Sequence, residues 1–380
     1  MKKYLIALLV IACNIGNQGK VFANTSNDGN VKKVSGVYVF GYERDMSDNV
    51  NFEEYPDGKA NSVYWKDGKS TIITDEIGIP EGYDEFDAQD MIIVNGERVY
   101  WGYAKKKENF YLMPFIYNKG KFTRLQDSEL AEDMKLCYVG EQVKVVGCLE
   151  NLGNDQGIEK FPAIWDEDGN MTSMEMGEYT NCSLEDIAVS GNDVYACGRI
   201  YGDDIWQGVG AVWKNGKLTT YPAPDGGITM FGFTAIGVSG NDVYTAMVSR
   251  EDKDTDDNSL TLWKNGKMET VLVKNNNIPM AECIVIDGND VYVGGTADKL
   301  TGENNTVINM PRIWKNGKPM TIDKMNEMGR ITSIAVYNGN IYAAGDHIFS
   351  GALWTNGKMK LIPGAEGERS AWKVILDVER

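Results

Sequence analysis

From about residue 36 onward the chain is a succession of short apolar runs separated by Gly/Asn turn signals, and the runs come in a fixed order. In one copy, Ile187-Ala188-Val189 is followed by the turn Ser190-Gly191-Asn192-Asp193 and then by Val194-Tyr195-Ala196-Cys197. Gly-Asn between two β-rich runs predicts a two-residue hairpin with both central residues at positive φ. Ala211-Val212-Trp213 predicts a third strand, Asn215-Gly216 a second hairpin turn, and Leu218-Thr219-Thr220-Tyr221 a fourth strand. The first run is apolar at successive positions, as expected of a strand buried on both faces.

This unit recurs seven times. Its third-strand aromatic falls at Trp65, Tyr117, Trp165, Trp213, Trp263, Trp314 and Trp354. A period near 50 residues with short strands and regular turns indicates a closed array. Four antiparallel strands per unit is the blade of a β-propeller. The expected fold is therefore all-β, a seven-bladed propeller. The first unit, Gly36-Val37-Tyr38-Val39-Phe40-Gly41, lacks its own first strand, whereas Trp372–Val378 resembles a first strand with nothing after it. The C-terminus is thus expected to supply the inner strand of blade 1 and so remove the open sheet edges. An aromatic at one fixed position per blade reads as blade-to-blade packing. Lys-Asn-Gly-Lys reads as a solvated hairpin tip.

The repeat, through Val-Tyr-x-x-Gly and Trp-x-Asn-Gly-Lys over residues 36–378, resembles that of uncharacterised secreted bacterial β-propeller lipoproteins. It resembles kelch and WD40 repeats in general form only. The resemblance implies fold and export, and carries no activity with it.

Export also follows from the N-terminus. Lys2-Lys3 and the apolar run Leu5–Ala12 read as a signal peptide over residues 1–12, too short to span a bilayer as a mature helix. Val10-Ile11-Ala12-Cys13 looks like a lipobox that would lipidate Cys13; the alternative is cleavage after Val21-Phe22-Ala23. Residues 13–35 read as a flexible tether and 36–380 as the propeller. The expected location is the cell envelope, with membrane attachment only through the lipid, or a soluble exported form; the expected state is a monomer.

The formal net charge is −17. So acidic a chain has no electrostatic case for nucleic acid or an anionic membrane. Peptides, glycans and other proteins remain as partners. Five cysteines lie in the domain, at 137, 148, 182, 197 and 283, without metal-ligand spacing. They read mostly as small buried hydrophobes, with a Cys182–Cys197 bridge left open. Cys137–Cys148 is excluded, because the hairpin register sets them too far apart.

Candidate chemistry is sparse. One histidine, His347, rules out a multi-histidine metal site, and no Gly-x-Ser-x-Gly elbow is present. A two-carboxylate glycosidase stays open, because acids are abundant and sequence cannot choose the pair. Catalysis is not the leading reading. The long loops share one face, where a rigid scaffold tolerates variation. Two of them, Ser249–Ser259 and Ile77–Asp90 with Glu81, Asp84, Glu85 and Asp87, are acidic, whereas the opposite turns carry many lysines. Asp252, Asp254 and Asp256 have the alternating spacing of a calcium loop but lack its Gly and bidentate Glu, so weakly held calcium is the only cofactor suggested. At or just past the ends of second strands stand Tyr42, Tyr103, Arg199, Arg250 and His347, with Trp206 in the loop after Arg199. Aromatics and Arg at a cavity mouth suit sugars or peptides; Arg199 reads equally well as a structural ion-pair partner. The functional expectation is an exported binding module with an acidic loop face. The alternative is a hydrolase or lyase acting on an extracellular polymer.

Overall fold

The computed structural model describes residues 34–45, 59–128, 131–151, 159–251, 254, 257–276, 279–301, 306–363 and 369–378. The leader with Cys13, the tether up to residue 33, and Asp252 and Asp256 lie outside them. The described residues form seven four-stranded antiparallel sheets. In blade 1 the order is Arg369–Val378, Val34–Asp45, Lys59–Lys66, Lys69–Ile72, so the C-terminal strand is indeed the inner strand beside the first one. Val37 faces Leu376 and Val39 faces Val374. The other inner strands are Glu85–Val94, Ala131–Val139, Asn181–Ser190, Ile228–Ser239, Met280–Asp287 and Gly329–Tyr337, for blades 2 to 7. Each touches the next, and that of blade 1 touches those of blades 2 and 7, which closes the ring.

The core is distributed between blades. Buried apolar residues fall into seven clusters, each joining two consecutive blades. The repeat tryptophans anchor them: Trp165 and Trp213 are fully buried, and Trp314 and Trp354 nearly so. Three also latch neighbouring blades. Trp165, Trp213 and Trp354 donate their indole N–H to the carbonyls of Gln126, Glu175 and Asp323, each just past the outer strand of the preceding blade, at 2.8, 2.8 and 2.9 Å.

The rest of the repeat signature serves the turns. Asn215 Oδ1 accepts from Val194 N at 2.9 Å, while its amide donates to Asp193 at 2.6 Å. Lys214 pairs with Asp193 at 2.9 Å and lies over the Tyr195 ring. The same set recurs with Asp242, Tyr244, Lys264 and Asn265, and with Asp290, Tyr292, Lys315 and Asn316. Lys214, Lys264 and Lys315 are therefore each paired with the aspartate of the adjacent hairpin. The hairpin Ser190–Asp193 also differs from expectation. Only Gly191, at φ 60°, is left-handed, which fits a type II′ turn; Asn215-Gly216, at 51° and 82°, is type I′.

Candidate functional site

All seven inner strands carry a β-bulge at the same height. A bulge inserts one extra residue and re-aims the side chains around it. The extra residues are Trp372, Gln89, Glu185, Thr234, Glu282 and Thr332 in blades 1, 2, 4, 5, 6 and 7; in blade 3 Asp133-Met134 face Gly147. The bulge explains the Gly of Val-Tyr-x-x-Gly. A Cβ on Gly41, Gly198, Gly295 or Gly345 would collide with the inner-strand carbonyl of Ser370, Ser183, Met280 or Arg330.

The residue after the bulge reaches the following blade. Asp90 accepts from Met91 N at 2.7 Å and from Leu136 N of blade 3 at 3.1 Å. Asp186 accepts from Ile187 N at 2.8 Å and from Ile236 N of blade 5 at 3.0 Å. Ser333 Oγ accepts from Val374 N of blade 1 at 3.1 Å. Lys373 of blade 1 pairs with Asp90 at 2.7 Å, both essentially unexposed. These residues staple inner strand to inner strand around the axis. Lys135 holds the same position in blade 3 and is fully buried.

Acidic residues at three of the bulges are electrostatically linked. Glu185 of blade 4 feels Asp133 of blade 3 and Glu282 of blade 6; Lys135 of blade 3 acts on Glu185 and Glu282 alike. Such coupling across non-adjacent blades keeps Asp133 and Glu282 within electrostatic reach of Glu185, all three on inner strands. Burial, with Asp133 nearby, pushes the Glu185 carboxyl up to about 7. Burial also raises Asp133 and Glu282, against the opposing fields of Lys135 and, for Glu282, Arg330. Asp186 is driven well above the usual carboxylate range by burial, despite its two backbone donors. Between Glu185 and Glu282, at the equivalent bulge position, Thr234 is 4 % exposed and its Oγ1 has no hydrogen-bond partner. A nearby positive charge would favour the ionised form of each of these raised carboxyls. Among the described residues no three His, Cys, Asp or Glu side chains converge closely enough for a metal ion.

The residues singled out from sequence are spread over five blades. Tyr42 stacks on the bulge residue Trp372 with ring centroids 5.4 Å apart. Tyr103 donates its hydroxyl to the Ala131 carbonyl at 3.0 Å, and burial raises its pKa. Arg199 donates to the Met230 carbonyl at 3.2 Å and to the Ile205 carbonyl, clamping the Trp206 loop against blade 5. Trp206 sits in a single 3-10 turn, Ile205–Gln207, capped by Asp204, and is 46 % exposed. Arg250 donates to Asn258 Oδ1 at 3.2 Å, and buried His347 meets Glu327 at 2.8 Å. Asp254 is a turn residue in the acidic loop of blade 5. Glu85 and Asp87, assigned from sequence to a loop, lie inside the inner strand Glu85–Val94, where Phe86 and Ala88 alternate with them as buried partners. The axial set was missed. Its signal is a charged residue interrupting an apolar inner run: Glu185-Asp186 before Ile187, and Lys135 between Met134 and Leu136.

No family model matches the chain, and no curated protein does. Solved structures do. An acylaminoacyl peptidase in complex with a Z-Gly-Gly-Phe chloromethyl ketone superposes with TM-score 0.52 at 10 % identity, over 87 % of this chain and 51 % of that one. The acylaminoacyl peptidase of Pyrococcus horikoshii gives 0.51 at 10 %, over 86 % and 50 %. One of two prolyl endopeptidases gives 0.51 at 9 %, over 82 % and 47 %. The chain thus spans about half the length of the structures it matches, and at this identity the likeness is one of fold.

Proposed function

We propose that the protein is an exported binding module whose channel takes the cationic group of a peptide or protein partner, a lysine or arginine side chain or an amino terminus. The observation that carries this reading is the Asp133, Glu185 and Glu282 set, with carboxyls raised by burial and the unpartnered Thr234 hydroxyl among them. A bound cation restores the ionised form and supplies the absent charge. Trp206, exposed on its clamped loop, offers a face over which a cationic chain can lie. Tetralysine tests the reading by calorimetry at pH 7.5 in two buffers of different ionisation heat. Binding should weaken with salt and release protons, and Glu185→Gln should weaken it and remove the proton release. Equal binding of tetralysine and tetraglutamate, or unchanged proton release in Glu185→Gln, would refute it. The alternative, a hydrolase or lyase of an extracellular polymer, has His347 as its one histidine base, and requires that His347→Ala abolish turnover in a folded protein.

A further inference from the structure

The interface between blades 3 and 4 contains a contact the axial site does not use. Cys148, on the second strand of blade 3, and Cys182, on the inner strand of blade 4, place their sulfurs 2.9 Å apart. Both are 1 % exposed, inside the apolar cluster that also holds Leu184, Ile200 and Trp213. The Cys182–Cys197 pairing left open by the sequence is ruled out by register. The two lie on adjacent strands of one blade, Cys182 opposite Ile200 and Cys197 opposite Asp186, and Cys197 Sγ meets the Phe233 carbonyl at 3.5 Å.

We propose that Cys148 and Cys182 form a disulfide that locks blade 3 to blade 4 once the protein meets a disulfide-type oxidant. A covalent S–S bond is about 2.05 Å long, so the sulfurs need close by less than about 1 Å. The strands that carry them are hydrogen-bonded into their own sheets: Cys148 opposite Pro162, and Cys182 opposite Ile200. Their positions are thus imposed by the blades, and the closing movement falls to the side chains. The chemistry balances as thiol–disulfide exchange. One Cys thiolate attacks the oxidant's disulfide and releases one of its sulfurs as a thiol, leaving a mixed disulfide. The second Cys thiolate then attacks the protein sulfur and releases the other. Two protein thiols lose two protons and two electrons, and the oxidant's disulfide is reduced to two thiols. In the folded state burial, reinforced by the neighbouring thiol, keeps Cys148 protonated. Exchange therefore belongs to the folding chain, before the blades dock. The bond would sit next to the channel wall, since Cys182 precedes Glu185 by three residues and Glu132, beside Asp133, faces Cys148 in register.

The test refolds the full chain in mixed reduced and oxidised glutathione, quenches with iodoacetamide and maps peptides by mass spectrometry without reduction. The expected result is a cross-linked pair containing Cys148 and Cys182, with Cys137, Cys197 and Cys283 alkylated. Reduction should lower the wild-type Tm by roughly 5 °C and leave that of Cys148→Ala and of Cys182→Ala unchanged. Five alkylated domain cysteines in refolded wild type would overturn the proposal, as would a cross-link through any other pair. If an Ala variant fails to fold, the wild-type peptide map alone decides.

Discussion

Glu185 is the sharpest place to test the electrostatics of the channel. Its carboxyl moves from an ordinary 4.5 to about 7 on folding. At 1.36 kcal/mol per pH unit, that corresponds to about 3 kcal/mol. The side chain is only 7 % exposed, so solvent screening takes little from it. The sign is fixed by linkage. Below pH 4.5 both folded and unfolded states hold the proton and the group contributes nothing. Between pH 4.5 and 7 the unfolded chain releases its proton while the folded one retains it, so stability falls as pH rises. Above pH 7 the full penalty applies. Burial sets most of it; Asp133 of blade 3 and Glu282 of blade 6 add to it, and Lys135 of blade 3 and Ser183 on its own strand reduce it. Glu185→Gln keeps the shape and a hydrogen-bonding oxygen but cannot ionise. Urea unfolding at intervals from pH 4.5 to 8.5 should show variant and wild type close together at the acid end. The variant should become more stable by up to about 3 kcal/mol at the alkaline end. A difference that does not change with pH would refute the reasoning, because only a titrating group produces the divergence.

Trp213→Ala should cost about 3–5 kcal/mol, as large-to-small aromatic changes in cores do, and leave tetralysine affinity unchanged in the folded protein; urea unfolding and calorimetry read the two. Lys373→Met should cost about 3–5 kcal/mol, because it strands the buried Asp90 carboxylate; the double variant Asp90→Asn, Lys373→Met should recover part of the loss in the same assay. Calcium held by Asp252, Asp254 and Asp256 should bind with a dissociation constant of about 1 mM or weaker, and Asp254→Ala should abolish the calorimetric signal.

The propeller was legible because its evidence is periodic. Hairpin turns and the third-strand Trp recur at fixed offsets, and the missing first strand at residue 36 has its complement at 373–378. What stayed hidden follows from the bulge. Strand patterns are read with a period of two, and one extra residue at Glu185 or Glu282 breaks that period without leaving a turn signal. Glu85 and Asp87 looked like loop residues because acids dominate their surroundings, although their alternation with Phe86 and Ala88 already had the period of a half-buried strand. The pairing of turn lysines with Asp193, Asp242 and Asp290 was equally out of reach, since about twenty residues separate the partners and only the second hairpin brings them together.

The bulge divides the repeat into two kinds of position. The Gly opposite it and the aromatic of the third strand answer to backbone clearance and to packing between blades, so a change at either is felt across a whole interface. The inserted residue is less constrained: Trp372 and Met134 pack in clusters between blades and Thr332 donates to the Ala344 and Ala371 carbonyls, whereas Glu185 and Glu282 belong to none of the apolar clusters. Across the ring it is Gln89, one of the Asp133-Met134 pair, Glu185, Thr234, Glu282, Thr332 and Trp372, on inner strands that otherwise pair alike. The positions free of packing are in effect a short label written on a fixed frame. Drift or design can rewrite one character at a time, so what the channel accepts can diverge between relatives while their architecture stays the same.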